Sequence, residues 1–151
     1  MTTYTFCKVE TVDFLGDSKE EDVVLYLLMR SDMKSLNPGK ACAQAHHAGT
    51  KVMWDYYNGY QTTYKEGLVE RWMDKAYGFS TVIVLSVGSL EELEYLIKSA
   101  DNMKHLSGKI LDPTYPIKDG EFIHKIPVVS CGYIIAPRSE VNYLSHLELM
   151  R

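Results

Sequence analysis

The sequence predicts an α/β fold three layers deep, with a mixed, roughly four-stranded central sheet between helices. Three observations carry that expectation. Residues 23–29 and 81–87 are continuous runs of aliphatic and β-branched side chains, the pattern of strands buried on both faces. The segments that follow them carry apolar residues at helical spacing behind capping residues. A last apolar run, 128–136, stops at Pro137.

The elements follow in order. Residues 1–21 alternate weakly through Tyr4, Phe6, Lys8 and Val9, then turn acidic and polar from Gly16 to Glu21. They read as an N-terminal arm or extra strand ahead of a single domain over 22–151. After the first interior strand, Asp32 or Asn37 caps a helix, with Pro38 suited to its first turn. That helix runs to about Tyr57, where Asn58 and Gly59 punctuate it.

A second helix is expected from Thr63 to Ala76, with Tyr64, Leu68, Trp72 and Ala76 at i+4 spacing, Thr63 and Glu66 as a capping box, and Gly78 as its stop. Ser89 opens a third helix with Leu93, Leu96 and Ile97 inward. His105 begins a shorter strand that ends at Asp112-Pro113. A polar loop, 114–125, leads to the final strand, and the tail 141–149 is a brief helix or a docked arm.

Composition narrows the function classes. No apolar run approaches the ~20 residues of a membrane span, and no basic-then-apolar leader opens the chain, so a cytoplasmic setting is expected. The three cysteines, Cys7, Cys42 and Cys131, share no metal-binding or disulfide spacing. No metal and no organic cofactor is expected. A net charge of -4 is unusual for an RNA-binding surface, which gains affinity by neutralising phosphate. Lys34, Lys40 and Lys51 are the lysines placed to make a local basic patch.

The chemistry concentrates between Arg30 and Ala48. Arg30-Ser31-Asp32-Met33-Lys34 ends the first strand in charge, Asn37-Pro38-Gly39 turns, and Lys40-Ala41-Cys42-Ala43-Gln44-Ala45-His46-His47-Ala48 opens the helix. At about 100° per residue, Lys40, Gln44 and His47 lie within about 40° of one line along that helix. Ala41, Ala45, Ala48 and Val52 form a stripe about 100° around, small enough to seat the helix closely on a sheet. One stripe buries while the polar one looks along a cleft. His46 lies well round the helix and reads as a surface residue.

This run resembles the signature of the Pth2 family, the archaeal and eukaryotic peptidyl-tRNA hydrolases, roughly Arg-Thr-Asp-Leu-Lys, a glycine turn, then Lys-x-Ala-Ala-Gln-x-Ser-His-Ala. Further anchors follow in the family's order. Leu111-Asp112 stands where the family has the aspartate of Asp-Ala-Gly, Ile134-Ile135-Ala136-Pro137 resembles its terminal Gly-Ile-Gly-Pro, and Ser145-His146-Leu147-Glu148-Leu149 resembles its Gly-His-Leu-Lys-Leu. The resemblance covers about residues 22–150. The chain departs from it after Asp112, where Pro113-Thr114-Tyr115-Pro116 and several extra residues replace Ala-Gly-Arg-Thr-Gln.

The resemblance implies hydrolysis of the ester between a peptide and the tRNA 3′ end, with Lys40, Gln44, His47 and Asp112 as catalytic residues. Lys34, Gly39, Lys51 and Thr114 are the substrate-binding candidates. Asp112 would orient water, Lys40 stabilise the anionic intermediate, Gln44 hold the ester or water, and His47 relay a proton. Helix amides near Gly39 and Lys40 would attract a phosphate. A homodimer is expected from the family. The alternative is a catalytically altered protein of this fold that binds a nucleotide, a tRNA end or another anionic ligand without turnover. A third reading is an interaction module using the 1–21 arm and the segment 56–60.

Overall fold

A computed structural model describes residues 22–59, 63–74 and 80–151. The elements are β1 (Val23–Arg30), α1 (Pro38–Tyr57), α2 (Thr63–Met73), β2 (Val82–Val87), α3 (Leu90–Asn102), β3 (Leu106–Asp119) and β4 (Phe122–Pro137). The four strands form one sheet in the order β2-β1-β4-β3. β1 pairs parallel with β2 and antiparallel with β4, and β3 pairs antiparallel with β4, so the sheet is mixed as predicted.

Alternation along β1 divides the core into two. Val23, Leu25, Leu27 and Met29 point to the face covered by α1 and α2, where Ala48, Val52, Leu68, Val69 and Trp72 meet them. Val24, Tyr26 and Leu28 point to the other face, covered by Leu93, Leu96 and Ala100 of α3 and by Val141 and Leu144. A strand buried on both faces needs an unbroken apolar run, which is why 23–29 is so plain in the sequence.

The N-cap of α1 is Asn37, whose Oδ1 accepts from the Lys40 N–H at 2.9 Å, with Pro38 just inside the helix. Asp32 instead holds Arg30 in a two-pronged pair, Nε to Oδ1 at 3.0 Å and Nη2 to Oδ2 at 2.7 Å. Arg30 Nη1 also donates to the Val129 carbonyl, so the end of β1 is tied to β4. Asn37→Ala is expected to lower stability by about 1 kcal/mol, measured by urea denaturation, because the Lys40 amide loses its acceptor. Ser89 caps α3 in the same way, accepting from Glu92 N–H at 3.1 Å.

Three expectations change. The run 81–87, expected as a strand buried on both faces, is the edge strand β2, with Val82 exposed and only Leu85 and Val87 buried. The strand expected to end at Asp112-Pro113 continues to Asp119, and the polar loop 114–125 is a hairpin whose second strand begins at Phe122. Pro113 reads as a terminator in sequence, yet Pro113 and Pro116 both lie on the edge strand β3, where a missing N–H costs no interior ladder bond. Gly120, at φ +59°, supplies the backbone that a two-residue loop between Asp119 and Phe122 requires. The second helix is described to Met73, with Asp74 in a turn, and its expected end at Ala76 falls beyond the described residues. Ala76, Gly78, the Thr63 side chain and the 1–21 arm lie outside the described residues.

The tail is a docked arm. Short 3₁₀ turns at Arg138–Glu140 and Asn142–Leu144 lead to a final stretch that pairs with the free edge of β2. There Ser86 N–H donates to Glu148 O, and Met150 N–H to Val84 O. His105 is sealed beneath these turns, its ring nitrogens 3.0 Å from Tyr143 Oη and 2.8 Å from Glu140 Oε2. No described helix is long and apolar enough to cross a membrane.

Candidate active site

The polar stripe of α1 faces β3, and two irregularities in the sheet bring it partners. Ile110 pairs with Cys131 and Leu111 with Val129, leaving Ser130 as an extra residue in β4. Asp112 then pairs with Val128 and Tyr115 with Ile126, so Pro113 and Thr114 together face one residue of β4. Bulges of this kind re-aim side chains. The first lets both Ser130 and Cys131 touch Gln44, although neighbours in a regular strand point to opposite faces. The second returns Tyr115 to the α1 side, under Lys40.

Asp112 is the centre of the site. It is 7 % exposed, and three donors hold its carboxylate. Gln44 Nε2 reaches Oδ2 at 2.8 Å, while the Thr114 N–H and hydroxyl reach Oδ1 at 2.9 and 3.3 Å. His47 Nε2 stands 3.9 Å from Oδ2, with its side chain half exposed. Burial pushes the Asp112 carboxyl up most strongly of any single influence. The Gln44 amide, the Thr114 N–H, the nearby His47 and the Thr114 hydroxyl together outweigh it and hold the group below the usual carboxylate range.

Gln44 is the other buried anchor, at 2 % exposure. Its Nε2 must face Asp112, because a carboxylate only accepts, so its Oε1 faces Ser130. Ser130 Oγ donates to that oxygen at 2.5 Å. The network therefore runs from Ser130 through Gln44 to Asp112 and Thr114 without an unsatisfied buried side chain among the described residues.

A groove of about 450 Å³ opens on this network, lined by His47, Lys51, Lys109, Ile110, Leu111, Asp112, Pro113 and Thr114. Lys51 and Lys109 give it two positive charges, steadied by Asp55 and Glu94. Among the expected residues, His47, Lys51, Asp112 and Thr114 line the groove, and Gln44 is bonded beneath it.

Lys40 shares their helical stripe but does not line the groove. Its Nζ donates to the Pro116 carbonyl at 2.5 Å and lies 4.9 Å from the centre of the Tyr115 ring, so it anchors the foot of the hairpin. Gly39 is exposed in the first turn of α1, and the Lys40 amide beside it is taken by Asn37. Lys34 is exposed in the loop before α1, and neither Lys34 nor Gly39 is among the groove residues.

Ser130 and Lys109 were not anticipated. Ser130 carried a signal, since a lone hydroxyl inside an apolar strand run needs a buried partner. Lys109 carried none, because its place beside Lys51 depends on the register of β3. Nothing among the described residues groups His, Cys, Asp and Glu as a metal site would.

No curated protein matches the chain. The model of the family described as peptidyl-tRNA hydrolase PTH2 matches residues 23–116, from the first residue of β1 to the hairpin foot that Lys40 holds. That match takes in both helices of one face, the whole polar stripe of α1 and the Asp112 turn, well over half of the sequence, and the chain belongs to the Pth2 family of peptidyl-tRNA hydrolases.

Proposed function

We propose that this protein hydrolyses the ester joining a peptide to the 3′ ribose of tRNA, and that Asp112, His47, Gln44 and Thr114 form its reaction centre. The observation that carries this reading is the buried, triply hydrogen-bonded Asp112 carboxylate set 3.9 Å from an accessible imidazole at the floor of a groove that two lysines line. Water that bridges His47 and the free lone pairs of Asp112 attacks the ester carbonyl. The imidazole takes the water proton, Asp112 stabilises the imidazolium, and that proton passes to the departing ribose oxygen. Lys51 and Lys109 offer positive charge to the anionic intermediate or to the terminal phosphate of the tRNA.

Lys40 takes a different part from the one its motif implies. It fixes the loop that carries Thr114 by holding Pro116 two residues further on. The protein family supports the substrate class. The hairpin beyond Pro116 favours the second reading, a binding protein of the same fold that holds a tRNA end or nucleotide without turnover, since it rebuilds one wall of the site.

Incubation with an N-blocked aminoacyl-tRNA, followed for free tRNA, decides between them. Catalytic release by the wild type, reduced about tenfold in Lys40→Ala through a displaced Thr114 loop, is the expected result. Saturable nucleotide binding with no release would establish the second reading instead.

A further inference from the structure

We infer that Ser130 is a positioning residue for this centre: through the β4 bulge it fixes the side-chain amide of Gln44 so that Gln44 Nε2 donates to Asp112. The inference deepens the hydrolase reading, and its kinetic half rests on that reading.

Several observations converge on it. Ser130 is fully buried and is the extra residue of the bulge, so its direction is set by the sheet register rather than by side-chain freedom. Its Oγ lies 2.5 Å from Gln44 Oε1. Among the described residues its other acceptor is the weak one, Cys131 Sγ at 3.9 Å. Gln44 is itself closed to solvent, so water cannot take over the bond to Oε1 when the hydroxyl is removed. Cys131 Sγ reaches the backbone carbonyl of Gln44 at 3.7 Å and leaves the amide untouched. The orientation of the Gln44 side chain thus has two determinants, Asp112 on one end and Ser130 on the other.

Without Ser130, Gln44 Oε1 is a buried acceptor with no partner. The side chain then turns toward any donor it can find, and the bond to Asp112 lengthens or breaks. Asp112 loses one of its three donors, while burial and the Thr114 contacts remain. Its proton affinity therefore rises, and its aim at water and His47 loosens. A residue that never touches substrate would in this way set both the charge and the angle of the group that does.

The test uses the whole chain and two independent readouts in Ser130→Ala and Ser130→Thr. Carboxyl NMR resolves the titration of Asp112, with Asp112→Asn assigning the signal, and kcat and KM are measured on the N-blocked aminoacyl-tRNA. Ser130→Ala is expected to move the Asp112 midpoint upward and to lower kcat about tenfold to a hundredfold, leaving KM within about twofold. Ser130→Thr, which keeps the hydroxyl, is expected to restore both.

An unchanged Asp112 midpoint in a folded Ser130→Ala would overturn the inference, as would a change confined to KM. Should Ser130→Ala fail to fold, Ser130→Cys replaces it, its weaker donor giving an intermediate shift if the inference holds and none if it does not. A wild type without turnover removes the hydrolase reading and leaves the NMR titration to judge Ser130 alone.

Discussion

Asp112→Asn is expected to slow tRNA release about a thousandfold while the protein remains folded, the size of effect that loss of an acid–base partner produces. The substitution changes little in volume but reverses the polarity of one of the two carboxyl positions. Gln44 Nε2 donates to one oxygen and Thr114 to the other, so the new amide must turn its own N–H groups toward one of those donors. One buried donor is left unpaired, at a cost of about 1–3 kcal/mol. In the proposed mechanism the imidazolium formed at His47 also loses its counter-charge. Steady-state kinetics on an N-blocked aminoacyl-tRNA, with chemical denaturation alongside, measures both effects.

The pH dependence follows from the sign of the Asp112 shift. Its folded-state pKa lies below the ordinary value of about 3.9. Its contribution to stability is therefore fully present above that value and is lost as pH falls through the folded-state pKa. The stability gap between wild type and Asp112→Asn should be constant across neutral pH and close below about pH 4. Asp112 likewise introduces no fall in rate above about pH 4. A gap that narrowed near neutrality would mean the carboxyl is raised, not lowered.

Gly132→Ala is expected to cost about 2–3 kcal/mol and to lower the melting temperature by about 8 °C, through packing rather than chemistry. Gly132 sits in β4 opposite Leu28 on one side and Lys109 on the other. A Cβ there would lie 2.9 Å from Leu93 Cδ1, 3.0 Å from the Gly108 carbonyl oxygen and 3.2 Å from Ile97 Cδ1. Leu93 and Ile97 can rotate, but the Gly108 oxygen belongs to the neighbouring strand and moves only with the sheet. The cost therefore falls on the β3–β4 pairing that carries Lys109 and, three residues on, Asp112. Differential scanning calorimetry measures it; a melting temperature within a degree of wild type would show that β3 yields freely.

The parts of the fold that declare themselves in the sequence are those with one dominant physical requirement. β1 needs apolar side chains on both faces and has them without interruption. α1 and α3 need an acceptor for their first amides, and Asn37 and Ser89 supply it. The hairpin was concealed because its residues satisfy no such requirement. Both of its faces are largely open, so there is no alternation to read, and Phe122 at 74 % exposure looks no different in sequence from a buried aromatic. Two prolines in its first arm then imitate a loop.

The site divides in the same way. Lys40, Gln44 and His47 share one helical line, and all three do reach β3, at Pro116 for Lys40 and at Asp112 for the other two. Helical periodicity can place them on a line but cannot say which stretch of strand each meets. That depends on two single-residue bulges more than sixty residues away, and these are what direct Gln44 to Asp112 and divert Lys40 to the hairpin foot.

The strand order also sets a timetable for synthesis. β1 lies between β2 and β4, and the Arg30 contact that closes its far edge spans 99 residues to Val129. A growing chain can bring β1 and β2 together once Val87 has emerged, since both strands are then present. The other edge of β1 then waits, apolar and unpaired, through the making of α3, β3 and most of β4. Closing so long a loop is slow, and a bare strand edge is a template for the wrong partner. The nascent protein is thus most open to aggregation after its first sheet contact has formed and before its central one can, so interruption of translation within β3 should release the most adhesive fragment.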